Sequence, residues 1–480
     1  MKPARILAMG LLWLFFCLPG CKWLPSLPSD SALPAAKASP SAGRDYSPLP
    51  SPEITIIVGS GTNQTIQPLL GVNIGPAPAG TDPKNADLTK AYQQIGVRMV
   101  RTHDFYGPLD MSTLYPDRAR DAENVESYRF QASDAKWRSI VNGGFEPYFR
   151  LGDSWNNARP PANPQERANW VRAAVEVVQH YREGKWDGFK TPFRYVEIWN
   201  EPDNRQFWQA PHSPLEYFQL YAETARALKQ SFPDLRVGGP GLTQTGAITP
   251  QGKKWLHDFL VFIKQNNAPL DFFSWHLYAN DPQEWANAAH FYRQELDSSG
   301  FLAVEMHVTE WNTSIRQMAD KSPEALALRT GGKGAAILTA AWIVLQDNGI
   351  AVSTFYRGPD PDIAAVEFYG LFYADGKPKR SALAFGLWAQ MADHPNRLQL
   401  TADPKTDLWM LAGKDQSGEI ALLLANPGKS PYRYSLQGVG NRRVMLYQVN
   451  DASDQVQTRE ENASRMEIGG ETVQLLIIRH

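Results

Sequence analysis

A chain of 480 residues with a formal net charge of -2 and no long basic or acidic block has room for a large core, and it offers no electrostatic footprint for nucleic acid or an anionic membrane surface. Its only cysteines, Cys17 and Cys21, fall in the first stretch, which excludes a disulfide framework or a thiolate metal site in the folded part. The 15 Trp within an aromatic content of 11% suit flat surfaces that stack on sugar faces, although a single Trp more often fills core.

The chain opens on an export signal. Lys2 and Arg5 give a positive start, and Ile6 to Leu18 is an apolar run too short for a permanent membrane helix. Leu18-Pro19-Gly20-Cys21 resembles a bacterial lipoprotein signal, which implies cleavage before Cys21 and lipid on its sulfur, with residues 1–21 as the signal. Pro19 departs from the small residue usual there, and an ordinary secretory signal with an incidental cysteine is the alternative. Residues 22–52, dense in Pro, Ser and Ala from Pro25 to Pro52, lack apolar periodicity and read as an extended spacer. Such a spacer lets an acylated protein reach outward from a membrane. Residues 53–69, beginning with the strand-like Glu53 to Val58, are expected to join a β-sandwich at the other end of the chain.

Over residues 70–397, short β-branched and aromatic segments alternate with longer amphipathic ones, as in repeated βα units. The candidate strands are Gly71 to Gly75, Met99 to Phe105, Glu146 to Gly152, Tyr195 to Glu201, Arg236 to Leu242, Phe272 to Tyr278, Glu305 to Asn312 and Val352 to Gly358. Eight of them predict an α/β fold, a (β/α)8 TIM barrel. The clearest helices are Pro164 to Glu183, Pro214 to Ser231, Asp281 to Ser298 and Ser322 to Asn348, with a last one over Ser381 to Ala392. Residues 398–480 change to short alternating strands, Leu408 to Ala412, Ile420 to Ala425, Tyr432 to Leu436, Val444 to Gln448 and Thr472 to Ile478, which predict a small β-sandwich.

Chemistry in such barrels sits at the C-terminal ends of the strands. Glu201, in Trp199-Asn200-Glu201-Pro202, ends the fourth candidate strand, and Glu310, in Thr309-Glu310-Trp311-Asn312, lies near the end of the seventh. Two carboxyls facing each other across the mouth can hydrolyse a glycosidic bond, one protonating the leaving oxygen and the other attacking the anomeric carbon. That division of labour requires different surroundings, with Glu201 less solvated or closer to negative charge than Glu310. Asn-Glu-Pro alone is a weak tripeptide; the ordered pair of motifs is what carries weight.

Together, Trp199 to Asp203, Gly238-Gly239-Pro240, Ser274-Trp275-His276-Leu277-Tyr278, Thr309 to Asn312, and Gly370-Leu371-Phe372 followed by Gly376-Lys377-Pro378-Lys379 resemble glycoside hydrolase family 39. That family lies in a clan of retaining barrel enzymes and includes β-xylosidases, α-L-iduronidases and exopolysaccharide hydrolases. The resemblance implies Glu201 as acid/base, Glu310 as nucleophile, and Asn200 on the hydroxyl beside the anomeric carbon. It also places His103, His276 and Tyr278 around the sugar, with Trp311 and Tyr356 counted among the substrate-binding residues. Trp155 and Asn156 are expected either to contact sugar or to pack under their own loop, and Arg101 and Asp104 to form an ion pair beneath the site. Arg357 matches the geometry of a uronic-acid carboxylate; its alternative is a pair with Asp360 or Asp362.

The expected partner is an extracytoplasmic carbohydrate, either exopolysaccharide or xylan-like, with no nucleic acid and a membrane reached only through the lipid anchor. No cofactor and no metal are expected, since the nine His show no spacing such as His-Glu-x-x-His. The rival readings are a non-catalytic carbohydrate-binding lipoprotein on a degenerate barrel and an inverting hydrolase.

Overall fold

The computed structural model describes residues 53–77, 85–155, 157–315, 320–361, 368–402, 406–440 and 442–479. The signal, Cys21 and the spacer lie outside the described residues, as do Asn156 and Asp362. Among the described residues no helix is long and apolar enough to cross a membrane.

After strand β1 (Glu53–Thr65), eight parallel strands close into a barrel in chain order. They are β2 (Gly71–Asn73), β3 (Met99–Arg101), β4 (Glu146–Leu151), β5 (Tyr195–Ile198), β6 (Arg236–Leu242), β7 (Phe272–Tyr278), β8 (Glu305–Asn312) and β9 (Ile350–Phe355), and β9 pairs back onto β2. The strands are buried along nearly their whole length because helices cover the outer face and side chains fill the inner one. Period two sorts the residues of β7: Phe272, Ser274, His276 and Tyr278 face inward, while Phe273 and Trp275 meet Tyr292 of a covering helix.

One departure from this alternation sets up the site. Trp275 of β7 lies opposite Val308 of β8, but His276 lies opposite Glu310, so the register slips by one residue. A bulge of this kind re-aims side chains. It lets the consecutive residues Thr309 and Glu310 both bond inside the barrel, and it leaves Trp311 facing the helices.

The covering helices Pro164–Arg182, Pro214–Ser231, Pro250–Gln265 and Pro282–Ser298 each start on Pro, whose missing N–H costs nothing in a first turn. Asn163, Thr249 and Asp281 accept hydrogen bonds from first-turn amides, and Glu216 reaches back to the Ser213 amide. The single helix expected over Ser322 to Asn348 is two, Pro323–Arg329 and Gly332–Asp347. The chain breaks at Gly331, which is extended, and at Gly332, where an added Cβ would lie 2.5 Å from the Glu471 carbonyl. That close passage tucks the second helix between barrel and C-terminal sheet, where it is buried on nearly all sides.

After helix Arg380–Ala392, the C-terminal strands are β10 (Asn396–Thr401), β11 (Trp409–Lys414), β12 (Ile420–Asn426), β13 (Tyr432–Gln437), β14 (Arg443–Val449), β15 (Gln457–Asn462), β16 (Met466–Ile468) and β17 (Thr472–Ile478). With β1 they form one nine-stranded sheet in the order β15-β14-β17-β12-β11-β10-β1-β13-β16. Its two ends share a core, Ile54, Ile56 and Leu436 packing with Leu422, Leu424, Leu476 and Ile478, so the sheet folds over as a sandwich. The alternate residues Leu423, Leu475 and Ile477 join the barrel's core instead. Burial on both faces explains the apolar runs Ile420–Ala425 in β12 and Leu475–Ile478 in β17.

Candidate active site

The fourth barrel strand stops at Ile198, short of Glu201. Trp199 (φ 75) and Glu201 (φ 45) take left-handed backbone, which costs a side-chain-bearing residue on the order of 1 kcal/mol or more and persists only where packing holds it. Trp199 is held: its ring lies among Trp170 and Trp208, and its Nε1 donates to the Phe207 carbonyl at 3.2 Å. Asn200 and Glu201 therefore turn into the mouth of the barrel while Trp199 fills the layer outside it.

Glu201 and Glu310 meet there. An oxygen of each lies within 4.8 Å of the other and of a His276 ring nitrogen. Glu201 Oε1 is 2.8 Å from His276 Nδ1, and its Oε2 accepts from Asn204 Nδ2 at 2.8 Å. Glu310 Oε1 accepts from Arg101 Nη1 at 2.9 Å and lies 3.2 Å from His103 Nε2, while its Oε2 accepts from the Tyr278 hydroxyl at 3.1 Å.

Of the two expected asymmetries, lesser solvation of Glu201 or closer negative charge, the first does not hold. The Glu201 side chain is 14% exposed against 7% for Glu310. Burial pushes both carboxyls up to about 7, helped at Glu310 by the charge of Glu201. What separates them is positive charge, because the Arg101 guanidinium bonds Glu310 directly and favours its ionised form. Glu201 has no such cation in bonding contact among the described residues.

Arg101 overturns a second expectation. It does not pair with Asp104 but spans the site, donating through Nε to Glu197 Oε2 (2.7 Å), through Nη1 to Asn73 Oδ1 and Glu310 Oε1 (2.9 Å each), and through Nη2 to Asn200 Oδ1 (2.6 Å). Asp104 instead accepts from the Tyr356 hydroxyl (2.6 Å) and the Trp155 amide (3.1 Å) and lies 3.3 Å from His103 Nε2. Fixing Asn200 by its oxygen leaves Asn200 Nδ2 buried without a partner, a donor available for a sugar hydroxyl. His103 is held neutral by burial and by Arg101, and its Nδ1 is likewise buried and unpaired.

Trp311 is not part of the site. It is fully buried against Trp342, Trp285 and Phe355, because the residue after an inward-facing one on a strand points the other way. Trp155 is half-buried at the rim, edge-on to Phe207, and Tyr356 stands beside Tyr278 and Tyr369. Arg357 does not pair with Asp360, which bonds Lys379 at 2.8 Å. It donates to the Pro359 carbonyl and the Tyr106 hydroxyl, leaving buried Nη2 unpaired.

Sequence reasoning missed Glu197, Asn73, Thr309 and Asn204. Glu197 carried a signal: a charged residue sharing parity with Tyr195 inside a buried strand has to face the barrel interior. Asp203 braces the turn by accepting from the Thr243 amide and hydroxyl and from the Thr245 hydroxyl. Glu201, His276 and Glu310 also present a ligand set of the kind that binds cations. A cation there would face the guanidinium already on Glu310, which repels it.

Residues 71–307 match the family model of Glycosyl hydrolases family 39, so Glu201 lies inside the match and Glu310 just past its end. A Beta-xylosidase from Geobacillus stearothermophilus is 29% identical over 258 residues, covering 47% of this chain and 49% of the relative. Another from Caldicellulosiruptor saccharolyticus is 28% identical over 258 residues, covering 47% and 48%. The chain thus matches about half the length of these curated relatives. Among solved structures, a glucosidase from Croceicoccus marinus superposes with a TM-score of 0.74 at 24% identity, over 89% of this chain and 99% of that one. A GH39 enzyme from Xanthomonas axonopodis pv. citri does so at 0.66 and 18%, over 91% and 99%. These two are likenesses of fold.

Proposed function

We propose, from the premise that the barrel of this chain, matched over residues 71–307, belongs to glycosyl hydrolases family 39, that the protein is a retaining glycoside hydrolase. Glu201 protonates the leaving oxygen while Glu310 attacks the anomeric carbon; the Glu201 carboxylate then takes a proton from the water that releases the sugar from Glu310. The observation that carries this reading is that an oxygen of Glu201 comes within 4.8 Å of an oxygen of Glu310. Retaining enzymes keep theirs about 5–5.5 Å apart, whereas inverting ones leave about 6.5–9.5 Å for a water. Arg101 on Glu310 supports the division of roles. The unpaired Asn200 Nδ2 suits the hydroxyl beside the anomeric carbon, a bond that tightens as charge develops.

The substrate we propose is an extracytoplasmic poly- or oligosaccharide, exopolysaccharide or xylan-like, with β-xylosides the first to try given the curated relatives. The spare Nη2 of Arg357 suits an acidic sugar. We further propose a lipid anchor at Cys21 of a bacterial lipoprotein, from Leu18-Pro19-Gly20-Cys21 and the spacer after it; a mature protein that starts elsewhere, or is not acylated at Cys21, removes it. For the chemistry, Glu201→Ala is expected to regain turnover of 4-nitrophenyl β-D-xyloside when azide is added, giving the β-azide. Absence of rescue on an aryl glycoside that the wild type cleaves counts against the acid/base role.

A further inference from the structure

We propose that a buried chain through Thr309 to Glu197 holds His276 as its neutral Nε2–H form, so that the Nδ1 lone pair accepts the carboxyl proton of Glu201 and keeps that group an acid at rest. Thr309 and Glu197 are positioning residues, and the proposal rests on the assignment of Glu201 as acid/base.

Glu197 is fully buried, with Oε2 accepting from Arg101 Nε at 2.7 Å and Oε1 from the Thr309 hydroxyl at 2.9 Å. Burial opposes ionisation, but the Arg101 guanidinium bonded to Oε2 favours the carboxylate, and the group is held below its usual range. An ionised carboxylate only accepts, so the single hydroxyl proton of Thr309 is committed to it. Thr309 Oγ1 lies 3.2 Å from His276 Nε2 and has only lone pairs left for it, so the proton of that contact belongs to Nε2. A neutral ring protonated there presents a lone pair at Nδ1, which sits 2.8 Å from Glu201 Oε1. Lone pair against carboxylate is repulsive; lone pair against carboxylic acid is a hydrogen bond.

The alternative state, an imidazolium donating to an ionised Glu201, is disfavoured by its surroundings. Burial and Arg101 oppose a charged ring more than Glu310, Glu197 and Asp203 favour it, and the net effect lowers the His276 pKa. Facing Glu201 are Asn204 and Asp203 from its own turn, Glu310 from β8, and Arg101 and Asp104 from the second barrel strand and its loop. From β6, Gly241 (φ 63) comes so close that an added Cβ would lie 3.3 Å from both Glu197 Oε1 and His276 Nε2. Backbone thus seals the chain from that side. No proton passes through Thr309 in the reaction: Glu201 gives its proton to the leaving oxygen and regains one from the attacking water.

The test is an NMR titration of the full protein with nitrogen-15 in its histidines and carbon-13 in its glutamate carboxyls, His276 and Glu201 being assigned by His276→Asn and Glu201→Gln. In the wild type, His276 is expected to carry its proton on Nε2 and none on Nδ1 through neutral pH. Thr309→Val removes the acceptor at Nε2 and releases the ring to donate from Nδ1, so Glu201 is expected to titrate lower by on the order of one pH unit. Thr309→Ser keeps the hydroxyl and the wild-type titration. A proton on Nδ1 in the wild type overturns the proposal, and so does an unchanged Glu201 titration in Thr309→Val. If that variant does not fold, the wild-type tautomer decides alone. None of these readouts needs turnover, so a protein with the expected tautomer that cleaves no glycoside sinks the hydrolase reading and not this one.

Discussion

The floor and the mouth of the barrel are built from the same strands by the same alternation, yet they are filled by opposite chemistry. At the floor, Phe272 stacks on His307 at 4.3 Å, Tyr148 and Tyr195 lie beside them, and the His307 ring is held below its ordinary pKa by burial. Further along β5, β7 and β8 come Glu197, His276, Thr309 and Glu310, tied through Arg101 into one polar network. Burying those groups works against stability, and the protein retains them only because each finds a partner. The floor contributes to folding; the mouth spends stability on arranging charge.

If this division is right, substitutions at the two ends should fail in different ways. The largest effect is expected for Glu310→Ala, which loses turnover by on the order of 10⁴-fold or more while the protein stays folded, measured as kcat beside circular dichroism. Phe272→Ala should do the reverse, costing about 3–5 kcal/mol in denaturant unfolding with kcat nearly unchanged at temperatures where the variant is folded. Loss of activity without loss of stability in Phe272→Ala would break the distinction.

A smaller effect sharpens it. Burial raises Glu201 and Glu310 from 4.5 to about 7, so between those values the folded protein holds more protons than the unfolded chain. Stability therefore falls as pH rises through that window; the penalty is absent below the lower value and complete above the upper one. Glu201→Gln, which cannot ionise, is expected to be more stable than the wild type by about 1–3 kcal/mol at about pH 8 and to lose that advantage by about pH 4.5. Unfolding curves at the two pH values check it.

The barrel was legible because eight short apolar segments alternate with helical ones, and the two glutamates because each lies at or near the end of such a segment in a recognisable motif. What stayed hidden depends on backbone detail. The bulge that brings Thr309 inside with Glu310, and the left-handed turn at Trp199, break the period on which sequence reading relies. Trp311 was readable in principle, since its neighbour faces inward. Strands β10 and β15 were not: Asn396–Thr401 and Gln457–Asn462 are rich in polar residues, and β15 lies at the sheet's edge, paired on one side only. Arg101 looked like an ordinary ion-pair partner because its contacts, Asn73, the neighbours Glu197 and Asn200, and Glu310, come from three other places in the chain.

The central claim is that Glu310 attacks and Glu201 gives and regains a proton across the gap between them. The most direct measurement is to follow the anomer released first from an aryl glycoside by proton NMR, and to map the peptide labelled by the corresponding 2-deoxy-2-fluoro sugar. Retention of configuration and a label on Glu310 are the expected results. An inverted product, or a label on any other residue, would contradict it.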